Sequence, residues 1–157
     1  MKRRHFGLGL AAAGLFLTAG PALAEEPASM TVYKDPYCGC CTAWADIARD
    51  AGYDVKVVER QDMMSVKAQL GVPEPLASCH TVTVGGYVLE GHVPLPMVAR
   101  LLEEKPAALG LAVPGMPVGS AGMEVPGETP DKYEVVLFGA SGASPYASYW
   151  GLERTDR

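Results

Sequence analysis

The chain has 157 residues, of which the first 24 read as a removable export signal, leaving 133, enough for one hydrophobic core. The signal carries three positive charges and no negative ones, so what remains sets ten Lys/Arg against 18 Asp/Glu, a formal net charge of −8. That acidic field, with no basic cluster and no aromatic-basic stripe, disfavours nucleic acid as a partner and favours cations.

Lys2-Arg3-Arg4 opens the signal, an uncharged run from Phe6 to Leu17 follows, and Pro21-Ala22-Leu23-Ala24 predicts cleavage after Ala24. Arg3-Arg4-His5-Phe6 loosely matches a twin-arginine signal, so both that route and the Sec route stay open. No other stretch approaches the roughly 18 apolar residues of a membrane span, so no membrane insertion is expected after processing. Residues 25–30 form a linker, and Met30-Thr31-Val32-Tyr33 already reads as a strand. Lys34-Asp35-Pro36-Tyr37 then turns the chain into Cys38, Cys40 and Cys41, with Lys34 or Asp35 placed to tune the local charge.

A helix is predicted next, because Trp44, Ile47, Ala48 and Ala51 recur at helical spacing and Gly52 ends the run; Trp44 should pack behind the cysteines. Val55 to Val58 reads as a second strand. Asp62 caps a short helix whose inner face carries Met63, Val66 and Leu70, ending at Gly71. Thr81 to Val84 and Tyr87 to Glu90 flank Gly85-Gly86 as a tight hairpin, and a third helix runs from about Leu95 to Glu104. Met63 and Met97 have core spacing. Residues 106–130 are punctuated by Gly and Pro and read as a long loop; Tyr133 to Phe138 gives a last strand. Residues 31–139 are taken as the domain and residues 140–157 as a tail that packs back through Tyr146, Tyr149 and Trp150. The order βαβαββα, with cysteines at the start of the first helix, predicts an α/β thioredoxin-like single domain with a long Gly/Pro/Met loop.

The cysteines carry the chemistry. A structural disulfide staples distant segments, and three thiols within four residues can staple very little. A helix N-terminus offers unpaired N–H groups and partial positive charge, which favour the thiolate, the form that attacks disulfides and binds soft metals. Cys38 and Cys41 suffice for dithiol chemistry, so Cys40 is surplus to it and favours a metal. Adjacent helical residues diverge by about 100°, so Cys40 and Cys41 suit bridging neighbouring ions better than chelating one. Soft thiolates select cuprous copper, whereas one structural zinc prefers well-spaced pairs. Cys79 lies far downstream, where the segment entering the third strand of such a domain faces the helix end; it is taken as a fourth ligand over a buried, inert thiol.

Four motifs occur in order: Lys34-Asp-Pro-Tyr-Cys-Gly-Cys-Cys-Thr-Ala-Trp44, Leu76-Ala-Ser-Cys-His-Thr81, Gly86-Tyr-Val-Leu-Glu-Gly-His-Val-Pro94 and Pro114-Gly-Met-Pro-Val-Gly-Ser-Ala-Gly-Met-Glu124. Together they resemble the DUF411 family, which includes the CopG-type periplasmic copper-resistance proteins, over about Thr31 to Phe138. The resemblance implies a copper cluster held by the four cysteines, a role in copper handling or resistance in the periplasm, copper ions and other copper-handling proteins as partners, and copper-linked redox activity. Where the family often has Ser-Pro-Gly-Met, this chain has Ser120-Ala-Gly-Met123.

Four further residues complete the candidate set. His80 adjoins Cys79, but strand neighbours point to opposite faces, so an outward or hydrogen-bonded histidine stands beside a metal role. His92 follows the hairpin, where a loop histidine commonly faces solvent; its place in Glu90-Gly-His-Val-Pro makes it a candidate ligand. Met116 and Met123 sit in loop sequence with no helical face to fill and can close over cuprous ions, or fill the core. Two other functions compete: thiol–disulfide exchange, with Cys38 attacking and Cys41 resolving, and a structural zinc module.

Overall fold

The computed structural model describes residues 28–156; the export signal, its cleavage site and linker residues 25–27 lie outside the described residues. Through Glu104 the elements follow the expected order: β1 (Ser29–Lys34), α1 (Gly39–Asp50), β2 (Asp54–Glu59), α2 (Met63–Gln69), a short 3-10 turn (Glu74–Leu76), β3 (Thr81–Val84), β4 (Tyr87–Glu90) and α3 (Leu95–Glu104). The hairpin between β3 and β4 turns on Gly85 and Gly86, whose φ values of 55° and 85° are those a tight two-residue turn requires.

Beyond Glu104 two expectations are corrected. Residues 106–130 are not one continuous loop: β5 (Gly110–Ala112) pairs parallel with β4 and antiparallel with β6 (Lys132–Gly139). Three residues are too few to display a period, and Gly110 is there because a Cβ would stand 1.6 Å from the Val88 carbonyl oxygen. The tail is also a strand. β7 (Gly142–Trp150) pairs along β6, and β8 (Glu153–Arg154) adds to it. Its small residues have weak strand preference alone, and the partner strand overrides it.

The result is a mixed α/β domain with one eight-stranded sheet in the order β2-β1-β3-β4-β5-β6-β7-β8. Met30, Val32, Val82, Val84 and Leu89 from the sheet pack with Trp44, Ala45 and Ala48 of α1 and Met97, Val98 and Leu101 of α3. Met97 is core as expected, whereas Met63 is only half-buried. No helix among the described residues is long and apolar enough to cross a membrane.

The strand directions matter most for the site. β1 ends, β3 begins, and β4 and β5 end at the same edge, because Tyr33 pairs with Thr81, Thr81 with Glu90, and Glu90 with Ala112. The segments that leave these strands, residues 35–41, 78–80, 91–93 and 113–123, therefore emerge together. Trp44 ties two of them, its indole Nε1 donating to the Val93 carbonyl at 3.0 Å from a fully buried position. Replacing Trp44 with Phe strips that carbonyl of its donor and is expected to cost about 1–3 kcal/mol in urea unfolding of the reduced protein, in addition to lost packing. A cost below about 0.5 kcal/mol, the size of a bland surface change, contradicts this role.

Candidate metal centre

The turn after β1 is built around Asp35. Its carbonyl accepts from Cys38 N at 3.0 Å and its carboxylate from Tyr37 N at 2.8 Å, which sets Cys38 in extended geometry as the N-cap of α1. Cys41 N donates to Cys38 Sγ at 3.3 Å, so a sulfur takes the place of the usual capping oxygen. Cys38 and Cys41 form a disulfide with Cα atoms 5.4 Å apart, while Cys40 and Cys79 are the free cysteines among the described residues. Cys40 Sγ lies 3.5 Å from Cys38 Sγ and 3.9 Å from Cys79 Sγ. All four sulfurs fall within 4.8 Å of one another.

Cys79, in the segment that precedes β3, belongs to a second group, with His80 and His92, whose candidate ligand atoms also lie within 4.8 Å of one another. His92 Nε2 is 3.0 Å from Cys79 Sγ and His80 Nδ1 is 3.3 Å from it. The alternation that would turn His80 away from Cys79 does not operate, because both residues lie in the bend before β3 begins at Thr81. His92 is not a solvent-facing loop histidine either: it is fully buried, and its Nδ1 donates to the Ala121 carbonyl at 2.8 Å. That bond fixes the tautomer and leaves the Nε2 lone pair aimed at Cys79.

The His80 ring is fully buried, 5.1 Å from the Trp44 ring and edge-on to His92 at 4.9 Å, and its Nε2 has no hydrogen-bond partner among the described residues. Burial holds both imidazoles below their ordinary pKa, aided at His80 by the repulsion its protonated ring would meet from a protonated His92 and from Lys67; at His92, the Ala121 bond and Glu124 act the other way. Both rings are thus neutral at pH 7, with a lone pair each. Burial, reinforced by the neighbouring Cys40, pushes the Cys79 thiol up to about 12. Without metal, Cys79 keeps its proton.

The methionine segment is docked rather than free. Gly115 N donates to the Ala77 carbonyl at 3.3 Å, and Ser78 Oγ donates back to the Gly115 carbonyl. At its other end Ala121 receives His92, and Gly122 lies so close to α1 that a Cβ would come 2.9 Å from Trp44 N and 3.2 Å from the Cys40 carbonyl oxygen. Met116 projects at 55% exposure between these anchors, and Met123 is half-buried. Sequence reasoning missed one nearby feature, the buried Lys67–Glu90 ion pair behind Cys79. Lys67 lies four residues after Met63, on the apolar face of α2, and a lone lysine at an inward position is the signal that it seeks a buried acid.

The profile of the family described as "Protein of unknown function, DUF411" matches residues 76–123, which hold Cys79, His80, His92, Met116 and Met123. Two solved structures are similar over most of the chain. "Copper resistance protein copG- Form 2" is 44% identical with a TM-score of 0.74, covering 79% of this chain and 99% of that one. The chain belongs to the DUF411 family of CopG-type copper-resistance proteins. "Copper resistance protein copG- Form 1" agrees at 44% identity and a TM-score of 0.74, over 80% of this chain and 100% of that one. No curated protein matches significantly.

For this CopG-type chain the cysteine arrangement has a direct chemical consequence. Air-oxidised, metal-free protein is expected to present two titratable thiols on denaturation, mapping to Cys40 and Cys79, and four after reduction. In the native reduced protein, Cys79 is expected to alkylate slowly with iodoacetamide at pH 7 because its thiolate is scarce. Peptide mapping by mass spectrometry checks both; a Cys40–Cys41 pairing, or rapid Cys79 labelling, contradicts them.

Proposed function

We propose that the protein is exported to the periplasm and handles copper there by holding a group of cuprous ions on Cys38, Cys40, Cys41 and Cys79, with His80 and His92 as the adjoining nitrogen ligands. The observation that carries this is the convergence of all four sulfurs within 4.8 Å from two separate segments. Dithiol exchange needs only two of them. Thiolates that bridge and neutral imidazoles beside them suit cuprous copper, and a buried His80 nitrogen without a partner is the kind of polar atom a bound ion would satisfy. The parallel β1–α1–β2 unit followed by the β3–β4 hairpin and α3, with the C-x-x-C at the start of α1, supports the thioredoxin-like reading of the first four strands. The names of the 44%-identical structures support copper resistance as the setting.

The disulfide removes two of the four ligands, so copper uptake requires two electrons and two protons per chain to restore the Cys38 and Cys41 thiols. Titration of the reduced chain with Cu(I) against a competing chelator is expected to load more than one ion, and the oxidised chain very little. Since Cys79 holds its proton up to about pH 12, copper must displace it, and the apparent affinity should rise with pH by about tenfold per unit for each proton displaced. A flat profile between pH 6 and 9, or equal uptake by the oxidised chain, contradicts the proposal. The disulfide itself favours a second reading, thiol–disulfide exchange at Cys38 and Cys41; it predicts robust reduction of a model disulfide by metal-free protein and no loss of that activity in Cys79→Ser.

Met116 and Met123 belong to the same proposal as soft, neutral groups on the segment docked across Cys79 and α1, and protonation cannot remove them. Changing both to Leu keeps bulk and removes sulfur. Stability of the metal-free protein should stay within about 1.5 kcal/mol, as for volume-conserving swaps, while a chelator strips copper faster. Unchanged stripping with a large loss of stability would assign both residues to packing.

A further inference from the structure

Glu90 closes β4 with no exposure to solvent, and its carboxylate takes three donors from three directions. Oε1 accepts from Lys67 Nζ at 2.5 Å and from the Ser78 backbone N–H at 2.6 Å; Oε2 accepts from Thr81 Oγ1 at 2.7 Å. Lys67 Nζ also donates to Thr81 Oγ1 at 3.0 Å, closing the network. Ser78 precedes Cys79 and Thr81 follows His80, so one carboxylate grips the ligand-bearing bend on both sides. The grip extends to the methionine segment, because Ser78 Oγ bonds the Gly115 carbonyl next to Met116. There is no slack at Gly91, where a Cβ would meet Ser78 Oγ at 2.5 Å and the Val113 carbonyl oxygen at 2.6 Å.

Burying a lysine and a carboxylate together is a poor way to gain stability, since an apolar pair of similar volume often serves as well or better. What an apolar pair cannot supply is an acceptor for the Ser78 N–H. We propose that Glu90, neutralised by Lys67, is the positioning residue that sets Cys79 and His80 against the thiols of α1. It touches no candidate ligand sulfur itself and acts through the backbone of Ser78 and the hydroxyl of Thr81. The proposal rests on the copper-binding reading for its effect on affinity, but its effect on the bend does not.

Two double variants separate the acceptor from the ion pair. Lys67→Met with Glu90→Gln removes both charges yet keeps a side-chain oxygen for Ser78 N–H; Lys67→Met with Glu90→Leu removes the acceptor as well. Each is measured in the full reduced chain for Cu(I) affinity against a competing chelator, for the rate of Cys79 alkylation without metal, and for melting temperature. The Gln form is expected to stay close to wild type in affinity and labelling. The Leu form should lose roughly 10–100-fold in Cu(I) affinity, as when an outer partner of a metal ligand is removed, and label Cys79 faster. Equal Cu(I) affinity and equal labelling in the two doubles overturns the proposal. Should the Leu form not fold, Glu90→Asp alone, which withdraws the carboxylate by one methylene, takes its place with the same expected and contrary results. Failure of wild type to bind Cu(I) would sink the copper reading alone, and the labelling rates would still decide the role of Glu90.

Discussion

The pairing of Tyr33 with Thr81 across β1 and β3 is the constraint on which the site depends. Antiparallel neighbours place the end of one strand beside the start of the other, so the segment of cysteines that follows β1 lies beside the cysteine that precedes β3. The same logic repeats outward: Thr81 against Glu90 brings in His92, and Glu90 against Ala112 brings in the methionine segment. Slipping any of these registers by one residue would turn every side chain of the slipped strand to the opposite face and scatter the candidate ligands.

On that frame the candidate ligands differ in what already engages them. Cys38 spends its sulfur on the helix cap, His92 spends one ring nitrogen on Ala121 and aims the other at Cys79, and His80 leaves a buried nitrogen unpaired. An unpaired buried polar atom costs about 1–3 kcal/mol, and Trp44, docked on Val93, packs against that ring and helps hold it there. The candidate centre therefore carries one unsatisfied buried nitrogen among the described residues, while the core of Val32, Val82, Leu89 and Leu101 behind it is conventional.

Much of this was legible in the sequence where a local pattern stands for a local structure. The period through Trp44 and Ala48, the Asp62 cap, the Gly85-Gly86 turn and the apolar face from Leu95 to Leu102 mark out the first seven regular elements in order, and the crowding of Cys38, Cys40 and Cys41 gives the candidate site. Membership in the DUF411 family was legible from the four motifs. What failed depended on distant partners. β5 is three residues whose only signal is its fit against β4, and β7 is a run of small residues that becomes a strand through β6. For His80, strand alternation leaves an outward ring open beside a metal role, and only the bend at Cys79 and His80 decides where the ring lies; for His92, a solvent-facing ring stands beside a ligand role until the bond to Ala121, 29 residues away, shows it buried. Glu90 read as the end of a hairpin strand; only Lys67, brought across from α2, reveals why a carboxylate is there.

In the proposed function, thiols from two segments form one site for several cuprous ions. X-ray absorption at the copper edge, on reduced protein loaded to saturation and handled without oxygen, tests it most directly. The expected result is the edge of cuprous copper, a first shell dominated by sulfur, and a resolved copper–copper scattering path that Cys79→Ser weakens. A shell of nitrogen and oxygen alone, or isolated copper with no copper–copper path, would contradict it.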